Sequence, residues 1–260
     1  MNIHNDNKLY DFERKDACVY YTLKNELQPL LQAYFPTKLI FKDTNKKEEI
    51  WLQNGVVKRD HDLPSIITYY ESSKKYDEEK IKEKKWMVGT DFLRENDESA
   101  YIEYYENGKE KAKYWYENGK INRSSGFPAV ITFYKNGYMK EMIWYKNNKI
   151  HRDQENENEK HEYPAYILHH KNSKRVDHCA CCDYNDETDI VHTKKWYTNG
   201  KLHRENKPAV IYYDSNENPT CEQYYKEGVY IKTEIPVVVK PKKLFLRNTC
   251  FDVDPKSESD

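Results

Sequence analysis

The sequence predicts a mainly β fold: an elongated, twisted antiparallel meander of hairpin repeats, each about 29 residues long, capped by an N-terminal helix. Three observations lead there. All five tryptophans, Trp51, Trp86, Trp115, Trp144 and Trp196, are followed eight residues later by an arginine: Arg59, Arg94, Arg123, Arg152 and Arg204. An apolar residue stands six after each, at Val57, Phe92, Ile121, Ile150 and Leu202. The tryptophans are 35, 29, 29 and 52 residues apart, a period with insertions, which is how stacked repeats read in sequence. Second, Asn54-Gly55, Asn118-Gly119 and Asn199-Gly200 are residue pairs that tolerate positive φ at both centres of a type I′ hairpin turn. Third, the chain is too polar for a thick core, with 33% charged against 37% hydrophobic residues and a mean hydropathy of −1.10. A compact chain of this length buries most of its surface, whereas stacked units bury only their contacts with neighbours. The thin core is then aromatic, drawn from 24 Tyr, 8 Phe and 5 Trp, residues that favour strands.

Taken in order, residues 1–15 are polar and predicted to be loose. Residues 16–34 place apolar side chains at Val19, Leu23, Leu27, Leu30, Leu31 and Tyr34, spacings of mostly three and four that predict an amphipathic helix. Pro29 would kink or split it, and its expected role is to cover the first edge of the sheet. A half repeat follows Pro36, where KLIFKDTNKKEEIW reads as strand, turn, strand. Full repeats open at each tryptophan. A final half copy starts at Tyr224, where YYKEG stands for WYxNG. The apolar run IPVVV within 233–247 is expected to form a closing strand, and the polar tail from Asp252 to Asp260 to be disordered. The expected organisation is thus a loose segment and capping helix over 1–35, a repeat domain over 36–232 with an insertion at 174–192, and a closing strand and tail over 233–260.

Within a repeat, Asn107-Gly108 and Asn136-Gly137 mark a second turn. The strand before it alternates: Ala129, Ile131 and Phe133 face one side, Val130, Thr132 and Tyr134 the other. Pro64, Pro128, Pro164 and Pro208 precede these strands, where a missing N–H costs little. Tryptophans recurring at one phase are expected to form a column on one sheet face. Each arginine, on the paired strand of the tight hairpin, can lie across an aromatic ring or bond the carboxylate beside it. Those carboxylates are Asp60, Glu95, Asp153 and Glu205, with Ser124 in the third copy. Such contacts contribute on the order of 0.5–1 kcal/mol each when partly exposed and add along an array.

Bulk charge narrows the function classes. With 43 basic and 44 acidic residues, the chain lacks the electrostatic footprint of a nucleic-acid binder. No apolar stretch approaches the roughly 18 residues of a membrane span. The N-terminus lacks the apolar core of a signal peptide. Its six cysteines are therefore expected to be free thiols in a reducing compartment, the cytoplasm.

WYENGKINR, WYKNNKIHRD and WYTNGKLHREN-KPAVIYY resemble the WYxNGKxHRxxxxPAVI repeats of proteins from giant nucleocytoplasmic DNA viruses. They are more distantly similar to MORN-type repeats and the antitoxin-like bacterial proteins grouped with them. The resemblance covers residues 36–230. It implies hairpin ribbons that bind proteins, in the host cytoplasm or in a virion, and it implies no agreed activity. The chain departs from the MORN pattern in being Gly-poor and Trp-headed, so lipid binding is not carried over. Its second copy is degenerate: Gly89-Thr90 replaces the turn pair and Ser99 the proline.

Two strings invite a chemical reading. His151-Arg152-Asp153 with Asn158 matches the spacing of a kinase catalytic loop. The same arginine phase recurs in every copy, HRE reappears at His203–Glu205, and the sequence has no Gly-rich phosphate loop and no Asp-Phe-Gly. The string is therefore read as scaffold. The second is an insertion in the fourth repeat, where His178, Cys179, Cys181 and Cys182 are followed by His192. Three thiols in four residues with flanking imidazoles can supply four ligands for Zn²⁺. The alternative is an exposed, oxidisable loop of free thiols, and the spacing leaves both open. The expected function is a non-enzymatic scaffold mediating protein–protein interaction. The alternatives are a metal-stabilised regulatory or antitoxin-like module and a structural virion component.

Overall fold

The computed structural model describes residues 9–15, 18–28, 35–42, 47–71, 79–153, 163–171 and 190–237. Among the described residues, fifteen strands form one antiparallel sheet, laid down in chain order. They are Tyr10–Lys15, Cys18–Leu23, Lys38–Lys42, Lys47–Ile50, Ile66–Tyr69, Ile81–Lys85, Tyr101–Tyr104, Glu110–Tyr114, Val130–Phe133, Met139–Ile143, Tyr166–His169, Val191–Lys195, Val210–Tyr213, Pro219–Lys226 and Val229–Glu234. At about 4.8 Å per strand the sheet extends roughly 65 Å. The mainly β meander expected from the period is what the chain forms.

Between these long hairpins lie five short ones. Leu52–Gln53 pairs with Val56–Val57, Met87–Val88 with Asp91–Phe92, and Tyr116–Glu117 with Lys120–Ile121. Tyr145–Lys146 pairs with Lys149–Ile150, and Tyr197–Thr198 with Lys201–Leu202. Their turns follow residue chemistry. Asn54-Gly55, Asn118-Gly119, Asn147-Asn148 and Asn199-Gly200 have positive φ at both central positions, as type I′ requires. In the degenerate copy only Gly89 has positive φ, so Gly89-Thr90 makes a turn with the left-handed residue first, the II′ pattern. The tips of the long hairpins differ. Gly108 and Gly137 are left-handed while Asn107 and Asn136 are not, and each asparagine Oδ1 accepts the backbone N–H two residues on. A bulge sits beside these tips, at Glu103/Tyr104 and Thr132/Phe133.

The tryptophan is the joint between the two kinds of hairpin. Its N–H donates to the carbonyl just before the next long strand, as in Trp115 to Ala129 at 2.9 Å. Its carbonyl accepts the N–H that closes the short hairpin, as from Asn122 at 3.2 Å. The core is accordingly divided into separate clusters, three of which are built on a tryptophan. Trp86 packs with Ala100 and Ile102, Trp115 with Ala129 and Ile131, and Trp144 with Met142, Ala165, Ile167 and Val191.

The N-terminus corrects two expectations. Residues 10–15 are a strand rather than a loose segment, and Cys18–Leu23 is a strand rather than the start of a helix. The latter pairs on both sides, with Tyr10–Lys15 and with Lys38–Lys42. Val19, Tyr20, Tyr21 and Thr22 are β-branched or aromatic, which favours the strand. The apolar spacing of four from Val19 to Leu23 to Leu27 mimics a helix. Instead, Leu23 is buried with Tyr10 and Leu39, and Leu27 packs on that cluster from the turn that follows. Leu30, Leu31 and Tyr34 lie outside the described residues. At the other end the last described strand is Val229–Glu234, turned by Glu227-Gly228. Of the expected closing strand, Ile235, Pro236 and Val237 follow this strand and belong to none, while Val238, Val239 and the whole tail lie outside the described residues.

Candidate functional site

Each arginine of the period lies over the ring of its own tryptophan. The Cζ-to-centroid distances are 3.8 Å for Arg59 on Trp51, 4.0 Å for Arg94 on Trp86, 4.3 Å for Arg123 on Trp115, 4.1 Å for Arg152 on Trp144 and 3.8 Å for Arg204 on Trp196. Each also donates through Nη1 to a carbonyl just before the next long strand: Pro64, Ser99, Pro128, Pro164 and Pro208, at 3.1–3.4 Å. The proline is thus an acceptor for the arginine, which Ser99 supplies equally well.

The carboxylate partners are not the adjacent ones expected from the sequence. Arg94 is gripped by both oxygens of Asp62, at 2.8 and 2.7 Å, and Arg123 by both oxygens of Asp97, at 2.8 Å each. These aspartates stand eleven residues after the preceding tryptophan, so each bridge joins consecutive units. Asp60 instead meets Gln53 and Lys58, Asp153 meets Lys146 and His151, and Glu205 meets His203 and Lys226. The same loops accept the indole N–H groups: Trp86 donates to the Asp62 carbonyl, Trp115 to Asp97 and Trp144 to Gly126. Trp51 Nε1 and Arg59 Nε, with no full unit before them, are buried without a hydrogen-bond partner among the described residues. The hydrogen bond from Arg94 holds the Asp62 carboxyl below its ordinary 3.8. Burial pushes Asp97 up, but bonds from Arg123 and Ser125 outweigh it and leave that carboxyl lowered too.

In the last three copies the residue before the arginine is a second link. Asn122 Oδ1 accepts the backbone N–H of Asn147, His151 Nδ1 that of Asn199, and His203 Nδ1 that of Glu227, at 3.2–3.3 Å. Accepting at Nδ1 fixes the neutral tautomer with its proton on Nε2. In His151 that nitrogen faces Asp153 at 3.1 Å. Every described member of the His151-Arg152-Asp153 string therefore has a structural partner, while Asn158 lies outside the described residues. A third link was not read from the sequence. Tyr70, Tyr105 and Tyr134, nineteen residues after their tryptophans, donate to the carbonyls of Tyr104, Phe133 and His169 in the next unit. A tyrosine at fixed phase was the available signal.

Between these links the sheet carries tyrosine, glutamate and lysine. Tyr101 and Tyr114 stack at 5.0 Å and both donate to Glu103, which also binds Lys111. Tyr166 and Thr132 donate to Glu141. Burial, then the adjacent carboxylates, push the phenols of Tyr101, Tyr114 and Tyr166 far up, so they remain neutral donors. A cleft of about 670 Å³ opens between the third and fourth units, lined by Asn122, Arg123, Trp144, His151, Arg152 and Tyr163 among others. Here Gly126 occupies the position that Asp62 and Asp97 hold earlier.

Of the residues proposed to bind metal, His178, Cys179, Cys181 and Cys182 lie outside the described residues. His192 is described, in the strand Val191–Lys195, so the insertion expected to reach 192 ends before it. Its ring meets that of His170 at 4.8 Å. Burial, then the charge of His170, lowers its pKa. Among the described residues no group of three or more His, Cys, Asp or Glu could hold a metal ion. No helix among them is long and apolar enough to cross a membrane. No protein-family model and no curated protein matches the chain.

Proposed function

We propose that the chain is a non-enzymatic scaffold whose sheet is a binding surface for another protein, as its resemblance to the viral repeat proteins implies. One observation carries this reading: Arg94, Arg123, His151, His203, Asp62 and Asp97, among the groups of the period with most chemical potential, are engaged in holding one unit to the next. Arg123 with Asp97 and His151 with the Asn199 N–H are two such engagements. The surface left over is mixed Lys, Glu and Tyr on a chain of net charge −1, which suits a protein partner better than a polyanion.

The fourth unit is the expected contact, because there the cleft and the long connection interrupt the pattern. In the second unit, Tyr105 N–H bonds the Lys109 carbonyl across three residues; in the fourth, His170 bonds Ile190 in the same way. Replacing residues 171–189 by Glu-Asn-Gly would therefore remove the connection and leave the hairpin closed. Affinity purification with the full chain and with this variant tests the reading. A partner recovered only with the full chain supports it, and identical partner sets count against the fourth unit as the contact. The proximity of His170 and His192 favours a second reading, a metal-stabilised module that uses the Cys179–Cys182 segment. Metal content of the purified chain separates the two.

A further inference from the structure

The tip of the fourth long hairpin departs from its counterparts in a coordinated way. A backbone N–H···O bond of the same kind closes each tip, from Tyr70 to Lys80, Tyr105 to Lys109, Tyr134 to Tyr138, His170 to Ile190 and Asp214 to Asn218. Beside it, a shift in register leaves one residue of the returning strand without a cross-strand partner. That residue is Lys82, Lys111, Lys140, His192 or Thr220. The first three units thus set a tyrosine and a lysine at these two places. The fourth sets two histidines, and it does so at the hairpin whose connection carries three cysteines.

A bulge lets two successive side chains share a face, and His170 and His192 come together with ring centroids 4.8 Å apart and ring planes at 67°. His192 Nδ1 lies 2.6 Å from the Thr193 hydroxyl, so its Nε2 points away from that bond. A metal-bound histidine typically donates its other ring N–H to a fixed acceptor, which sets tautomer and orientation. Zinc–nitrogen bonds of about 2.1 Å place two tetrahedral ligands roughly 3.4 Å apart, and these rings stand with centroids 4.8 Å apart. We propose that His170 and His192 are two ligands of a divalent transition-metal ion of the zinc class, held at the tip of this hairpin. Imidazole suits zinc, copper and nickel. The backbone bond from the His170 N–H to the Ile190 carbonyl keeps the two residues at one hairpin tip. The site stands whether or not the chain binds a protein partner.

The test uses the full chain, titrated with Zn²⁺ by calorimetry and with Co²⁺ by its visible absorption bands. The informative variant is His170→Tyr with His192→Lys, which installs the pair of the first three units and so preserves the fold, checked by its melting temperature. The wild-type chain should take up near one equivalent. The variant should bind at least about tenfold more weakly, as loss of an ordering partner alone already costs that much at metal sites. A wild-type chain that takes up no metal overturns the proposal. So does a variant that binds as the wild type does, including the case in which only Cys→Ser changes at Cys179, Cys181 and Cys182 abolish binding.

Discussion

Arg123 is held at once by the Trp115 ring, the Pro128 carbonyl and both oxygens of Asp97, and its side chain is 1% exposed. A lysine keeps the charge but loses the planar fork and the stacking. Arg123→Lys is expected to cost about 1–3 kcal/mol in urea denaturation. Arg94→Lys should cost less, because Arg94 and Asp62 are the more exposed pair, at 14% and 54%. The same bridges set an acid limit. Asp62 and Asp97 have folded-state pKa values below the ordinary 3.8. Each therefore contributes stability that is complete above that value and is lost as pH falls through the folded one. The denaturation midpoint should hold from neutral pH down to about 5 and drop below about 4. Asp62→Asn with Asp97→Asn should flatten that drop, and an unchanged acid limb would refute the assignment. The arginine positions were legible because a period exposes them. Their true partners were not, because the eleven-residue offset to Asp62 and Asp97 acts across units, and only packing shows which loop faces which fork.

The short hairpin is the element most completely written in local sequence. Asn-Gly pairs dictate the left-handed turn, and the structure has it at Asn54, Asn118 and Asn199. Gly55 and Gly119 separate backbone cost from crowding. Both have positive φ, +78° and +69°, but a Cβ at Gly55 meets open space while one at Gly119 meets Asp91 Oδ1 at 3.3 Å. Gly55→Ala is expected to cost about 1 kcal/mol through φ alone, and Gly119→Ala a few tenths more; equal losses in paired thermal melts would show that Asp91 yields freely. The N-terminal element shows where local reading fails. The spacing of Val19, Leu23 and Leu27 satisfies a helix, but Cys18–Leu23 has strands available on both sides. Backbone bonds to sequence-distant neighbours decide such cases.

At the scale of the whole molecule, each long strand bonds its neighbours in chain order, so a local injury should stay local. Ile131 is fully buried beside Trp115 and Ala129. Ile131→Ala is expected to cost about 2–5 kcal/mol. Native-state hydrogen exchange should lose protection in the third unit and its neighbours first, while Tyr10–Lys15 and Val229–Glu234 keep theirs; uniform loss across the sheet would mean a single cooperative body. The sequence by itself determined the class, the period, the turns and the tryptophan–arginine pairs, because strand alternation and turn chemistry act within a few residues. The tertiary structure decided how units are joined: Asp97 to the next Arg123, His151 to the next turn, Tyr134 to the next strand, and His170 beside His192. Those pairs are set by which strands lie side by side and where a bulge turns a side chain, and neither is local to the residues concerned.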